Sequence, residues 1–266
     1  MHVFKKMCIN DTIDEELGRN MNTITSTQNA KVKQWLKYHN RKHRLQDDVF
    51  LIEGEHLVEE AYKANHLIEL WISETCDATY QDIPTFVSPQ HILDKLSMVQ
   101  SSNTMIGLCK IPHFKVEAKN RIFLCDNIQD PGNLGTIIRS ALAFNFDAIY
   151  CSKDTVDFTN EKVVRSTQGA LFQIPIHVVD LKATITQLKQ ESIEIVALAL
   201  TQNAVSHVSA SSNMAFILGN EGQGISTEIL ELADHQLVIP ISNIDSLNVA
   251  ITAGIIAYNY QNKEHA

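Results

Sequence analysis

Apolar and amphipathic stretches alternate strictly through the second half of the chain. Short apolar runs predict strands over residues 122–125, 148–151, 174–178, 193–200, 214–218 and 236–239. Helices are predicted between them over 135–144, 160–169, 181–190 and 226–233, with 247–261 last. Strands interleaved with helices in this way imply a parallel sheet wrapped by helices. The last helix carries Val249, Ile251, Ile255, Ile256 and Tyr258 among small residues. It is apolar almost all round, which suits burial in a core or against a partner.

The first half alternates over shorter distances. Val32, Trp35 and Leu36 share one face of a helix over 31–38, with i, i+3, i+4 spacing. A second helix over 55–64 carries Leu57, Val58, Ala61 and Tyr62, and a third covers 92–96. Strands fall at 49–52, 68–72, 86–87 and 105–111. The pattern divides the chain into a small α/β domain over 23–111, a polar linker over 112–120 and a larger α/β domain over 121–266. Residues 1–22 have no amphipathic period and read as an extension; translation starting at Met21 is the other reading.

Composition narrows the class. At 266 residues, 44% of them hydrophobic, the chain can bury a sizeable core in one or two domains. No apolar run approaches the roughly 18–20 residues that span a bilayer, and no apolar segment near the N-terminus reads as a secretory signal. Cys8, Cys76, Cys109, Cys125 and Cys151 are scattered, with no Cys-x-x-Cys pair. They read as free thiols in a reducing cytoplasm, not as a metal site or disulfide framework.

The net charge of −9 argues against general nucleic-acid binding, but the charge is unevenly placed. Lys31, Lys33, Lys37, Arg41, Lys42 and Arg44 follow one another without an intervening acid. From Lys119 onward there are nine Lys/Arg against fifteen Asp/Glu. The basic run reads either as a solvated helix face or as a local contact to RNA phosphates. Trp35 within it is read as core.

The chemistry gathers in the larger domain. An apolar strand ends in a loop, Gly219–Ser226, that holds three glycines around one carboxylate, Glu221. A Gly-rich loop just past a buried strand is where open α/β sheets bind ligands, although a tight turn explains it equally well. The spacing is not G-x-G-x-x-G, which weighs against a nucleotide-dependent oxidoreductase. Two further segments, DPGNLGTIIRSALAF over 130–144 and IPISNIDSLNV over 239–249, change the balance.

Together and in this order the three segments resemble the signature motifs of the SpoU (TrmH-like) RNA 2′-O-ribose methyltransferases of the SPOUT class. The first matches through Asn133, Gly135 and Arg139, the second through Gly219 to Gly224, and the third through Ile239, Pro240, Ser246, Leu247, Asn248 and Val249. The first domain, with F-L-I-E-G over 50–54, is similar to the L30e-like substrate-binding domain found ahead of such catalytic domains.

The resemblance implies a parallel-sheet SPOUT domain with a C-terminal trefoil knot, and an S-adenosyl-L-methionine (AdoMet) site with no metal. Cofactor contacts would fall on Gly219, Gly224, Ile239 and Leu247, with Gly219 leaving room for the cofactor. Arg139, Asn133, Glu221, Ser246 and Asn248 would form the active site, and Arg165 would touch RNA with the basic run. Ser246 is also read as a cap for the last helix, and Asn133 as a cap for the helix that follows it. The implied partners are RNA, rRNA ahead of tRNA, and a second copy of the chain through the C-terminal domain. A non-catalytic RNA-binding factor that retains the fold is the alternative.

Overall fold

A computed structural model describes residues 21–99, 103–115 and 119–261; residues 1–20 of the expected extension lie outside them. The chain divides into two units, Met1–Ile111 and Pro112–Ala266. In the first, β1 (Met21–Thr23) is followed by α1 (Ala30–Lys37), α2 (Arg41–Asp47), β2 (Val49–Glu53) and α3 (Glu55–Lys63). Then come β3 (Leu67–Ser73), β4 (Thr85–Ser88), α4 (Gln90–Leu96) and β5 (Met105–Lys110). Met21 and Asn22, read from the sequence as extension, belong to β1, which pairs in parallel with β4. The sheet order is β1-β4-β3-β5-β2, and β5 runs antiparallel to both its neighbours.

Two tryptophans centre this unit. Trp35 and Trp71 are fully buried, with ring centroids 5.2 Å apart in an edge-to-face pair. Such pairs add to simple area burial. Each indole N–H finds an acceptor: Trp35 donates to Glu69 at 3.2 Å and Trp71 to Ser88 at 2.7 Å. Trp35 is therefore core.

The second unit contains β6 (Arg121–Cys125), α5 (Pro131–Ala143), β7 (Ala148–Ser152), α6 (Glu161–Thr167), β8 (Ile176–Val179), α7 (Leu181–Gln190) and β9 (Glu194–Leu198). These are followed by β10 (Met214–Leu218), α8 (Thr227–Leu230), β11 (His235–Leu237) and α9 (Val249–Tyr260). The sheet order is β11-β9-β10-β6-β7-β8, and every pairing is parallel. Alternate residues of the central strands serve opposite faces. Ile122, Leu124, Ala215 and Ile217 pack with Leu181, Ile185 and Leu188 of α7 and Ile229 of α8. Phe123 stacks on Phe146 at 4.3 Å, and Phe216 meets Tyr260 of α9 at 4.8 Å. Both faces are thus covered, which is why these strands read as continuous apolar runs.

Asp130 caps α5 by accepting from the Asn133 amide at 2.9 Å, so Asn133 lies inside the first turn and is not the cap. Past the end of α5, Asn145 takes φ 56°, a left-handed conformation that asparagine tolerates. α9 is fastened at both ends. Asn248, not Ser246, caps it by accepting from the amides of Ala250 and Ile251. At the far end the buried Arg121 guanidinium donates to the Tyr260 carbonyl and also to the carbonyls of Asn120, Ser211 and Ser212. Arg121→Met should cost about 2–3 kcal/mol, because several part-buried carbonyls lose their donor together. Urea unfolding checks this: a lower midpoint at unchanged slope is expected, and an unchanged midpoint would show that the far end of α9 is held without the guanidinium.

Candidate active site

β6 and β10 lie side by side, but their continuations diverge. β6 leads through α5 to β7 on one side, and β10 leads through α8 to β11 on the other. A crevice opens where such connections part, at the carboxyl ends of the strands. The segment 126–130 after β6 holds the glycine loop after β10 at several points. The Asp126 amide donates to the Leu218 carbonyl, and its carboxylate accepts from the amide and hydroxyl of Ser226, all at 2.8 Å. That contact occupies the Ser226 hydroxyl, which makes no capping bond to α8. Asn220 donates to the Asn127 carbonyl at 2.8 Å.

The loop then doubles back, with Asn220 and Gly224 exchanging two backbone bonds of 2.9 Å. A β-carbon on Gly219 would lie 2.4 Å from the Ile225 nitrogen and 2.5 Å from the Gly224 carbonyl carbon. Glycine is required there by the returning loop itself. The sequence reading gives room for a cofactor as the reason for glycine here, and the returning loop is a second, independent one.

Glu221 ties the loop to α5. Its carboxylate accepts from the amides of Gln129 and Asp130 at 3.2 and 3.1 Å and from the Asn133 side chain at 2.9 Å. The Asn133 carboxamide oxygen in turn accepts from Asn248 at 2.9 Å. One chain of polar side chains therefore links the glycine loop, α5 and the cap of α9. Burial pushes the Glu221 carboxyl up, but the Asn133 side chain and the backbone amides outweigh it and hold the pKa below its ordinary 4.5. With the shift downward, the charged contact is complete at neutral pH. It is lost as pH falls through that lowered value.

A cavity of about 540 Å³ opens beside this chain. Gly219, Glu221, Gly224, Ile239, Ser246, Leu247 and Asn248 all line it. Asn133 does not, but it bonds to two residues that do. Arg139 lies on the exposed side of α5 outside the lining, and Arg165 is exposed on α6. The cavity also takes Leu198 to Thr201 and Leu237 to Val238, which sequence reasoning missed. They enter because β9 flanks β10 and β11 flanks β9, a strand order that no local pattern carries. Asp126 and Asn127 were missed too. Polar residues directly after a buried strand were the available signal.

The basic run of the first unit separates into two kinds. Lys33, Lys37, Arg41 and Lys42 are exposed. Arg44 is only 5% exposed and donates to the carbonyls of Tyr38 and His39, so it is a structural residue and not an RNA contact. Lys31 is half-buried, paired with Glu69 at 2.6 Å and lying 5.3 Å from the centre of the Phe86 ring. It too is committed to the fold.

The site offers a small-molecule cavity lined both by polar loop residues and by apolar side chains. Among the described residues, no three His, Cys, Asp or Glu cluster as a metal would require, and no helix is long and apolar enough to cross a membrane. Comparison with known proteins bears on the same residues. The SpoU rRNA methylase family matches residues 120–258, and an MRM3-like substrate binding domain matches residues 29–107.

The 23S rRNA (guanosine(2553)-2′-O)-methyltransferase RlmP of Bacillus subtilis is 35% identical over 90% of this chain and 99% of its own. A solved RNA 2′-O ribose methyltransferase is 27% identical with a TM-score of 0.75, covering 89% of this chain and 96% of its own. An AdoMet-bound rRNA methyltransferase from Sinorhizobium meliloti, 23% identical, shares the fold at a TM-score of 0.79 over 90% of this chain and 97% of its own. On these matches the chain belongs to the SpoU rRNA methylase family.

Proposed function

We propose that this protein transfers a methyl group from AdoMet to a ribose 2′-hydroxyl of RNA, with rRNA as the substrate class. The observation that carries the reading is the Glu221–Asn133–Asn248 chain at the wall of the cavity. It places the three family motifs in one constellation. The rRNA preference draws on the named relative and on the match to a substrate binding domain.

The cavity suits the cofactor. Its volume falls in the range usual for small-molecule sites. Ile239, Leu247, Leu237 and Val238 supply apolar walls for an adenine, and main-chain groups of the loops supply polar edges. AdoMet, when bound there, supplies an electrophilic methyl group on a positively charged sulfur. The protein must then position the target hydroxyl and relieve it of its proton, because an alcohol is a weak nucleophile at neutral pH.

Glu221, held ionised, fixes the orientation of the Asn133 carboxamide, and Asn133 fixes that of Asn248. Ser246 and Asn248 stand on the cavity wall, where they would meet the ribose. Arg139 cannot act as a base in its protonated form. Its role here is to clamp the phosphate of the target nucleotide with its planar fork and so orient the hydroxyl.

The finer assignments belong to the same proposal. Ile251, 55% exposed, and Tyr258, 64% exposed, lie two turns apart as an apolar strip on α9, which packs against α5, where Arg139 is exposed. A second copy packed on this apolar strip would form the homodimer and bring Arg139 towards the partner's cavity. The knotted path of the C-terminal segment and a cytoplasmic location complete the reading. Lys33, Lys37, Arg41, Lys42 and Arg165 are the proposed phosphate contacts.

The test is transfer of labelled methyl from AdoMet to unmodified rRNA and tRNA, separately. Label in rRNA at a linkage resistant to alkali is expected. Absence of label in both RNAs together with no measurable AdoMet binding would favour a non-catalytic factor. Arg139→Ala should lower kcat roughly 100-fold, and Arg139→Lys should stay well below wild type because it keeps the charge without the fork. Near-full activity in the lysine variant would remove the clamp. Changing Lys33, Lys37, Arg41 and Lys42 together to glutamine should weaken rRNA binding and flatten its salt dependence while AdoMet affinity is unchanged. Arg44→Gln should instead lower thermal stability.

A further inference from the structure

Among the described residues that line the cavity, Glu221 is the one charged side chain. The others are apolar, amide, hydroxyl or glycine. The carboxylate is not loosely placed, since three donors hold it at 2.9 to 3.2 Å. None of those donors is a cation, so its negative charge is oriented but not cancelled. Asp126 and Asp130 carry charge of the same sign nearby, but neither lines the cavity. Among the described residues no Lys or Arg lines it either.

We propose that Glu221 is the residue that makes the cavity prefer AdoMet over its product, S-adenosylhomocysteine. The inference rests on reading the cavity as the AdoMet site and says what distinguishes the two ligands there. Methyl transfer breaks the carbon–sulfur bond and leaves the electron pair on sulfur. A carbon–oxygen bond forms on the ribose, and the hydroxyl proton passes to solvent. The sulfonium thereby becomes a neutral thioether. With its ammonium and carboxylate unchanged, the ligand goes from a net charge of +1 to zero, while its adenosine and amino-acid parts stay the same.

Apolar walls and main-chain donors carry no negative charge with which to tell a sulfonium from a thioether. A fixed carboxylate at the cavity wall can, because it attracts the sulfonium charge and finds no charge to attract on the thioether. The lowered pKa of Glu221 keeps that charge in place throughout the neutral range. The charge thus acts in the direction that turnover needs: it holds the donor and releases the spent cofactor.

Titration calorimetry with AdoMet and with S-adenosylhomocysteine, on the full-length protein and on Glu221→Gln, tests this without any RNA. Glu221→Gln should weaken AdoMet on the order of tenfold. The product's affinity should stay within about twofold, the reach of a small uncharged rearrangement. A purely structural role for Glu221 predicts otherwise. Loss of its bonds to Gln129, Asp130 and Asn133 would loosen the loop and weaken both ligands equally, and that result would overturn the inference.

Glu221→Asp gives a second handle. It keeps the charge while shortening the reach, so both affinities should fall with their ratio preserved. A ratio that collapses in Glu221→Asp as it does in Glu221→Gln would also overturn the assignment. Wild-type protein that binds neither ligand would overturn the reading of the cavity itself, and this inference with it.

Discussion

A carboxylate with three donors holds the second unit's site together. Glu221 carries the only charge in a loop otherwise made of glycines, uncharged polar residues and Ile225. Its bonds to the amides of Gln129 and Asp130 fasten that loop to the segment leaving β6. Its bond to Asn133 reaches α5, and Asn133 reaches the cap of α9. Asn248 uses its oxygen to cap the helix and its amide nitrogen to close the chain, so helix start and site geometry are one contact set. Elements separated by some 90 to 115 positions in sequence meet through two carboxamides and one carboxylate.

The rest of the unit prepares this meeting. Parallel pairing brings the carboxyl ends of β6 and β10 to the same level. Phe123, Phe146, Phe216 and Tyr260 fill the face beneath α5 and α9. Asp126 draws Ser226 back to the end of β6, and the close return of the loop past Gly219 excludes any side chain there. At the opposite end of α9, Arg121 gathers four carbonyls from three stretches of chain. α9 is therefore pinned by hydrogen bonds at both ends and by aromatic packing between.

Much of this was legible in the sequence, and what was missed has physical reasons. The strand over 214–218 and the helix over 181–190 fall where the hydrophobic pattern places them, because period and burial are local properties. Helix caps were less legible. Ser246 and Asn133 both have capping chemistry, but capping depends on which oxygen faces the free amides, and Asn248 and Asp130 hold those places. The basic run gave the residues but not their surroundings. Arg44 follows Lys42 by two positions, yet the turn of α2 sends it inward to carbonyls while Lys42 stays in solvent. Gly135 is a motif residue whose reason appears only in three dimensions, since a β-carbon there would lie 2.3 Å from that of Ser166 on α6. The contribution of β9 to the cavity depends on strand order, which the sequence pattern does not encode.

The central claim is that Glu221, Asn133 and Asn248 act as one unit in shaping the cofactor cavity. Glu221 and Asn248 each bond to Asn133, and no bond joins them directly among those described. A double-mutant cycle on AdoMet affinity, with Glu221→Ala, Asn248→Ala and the pair, tests the claim most directly. The account predicts that the double variant loses clearly less than the sum of the two single losses, with a coupling of at least about 0.5 kcal/mol. Strictly additive losses would mean that the two residues serve the cavity independently and that the chain through Asn133 organises nothing.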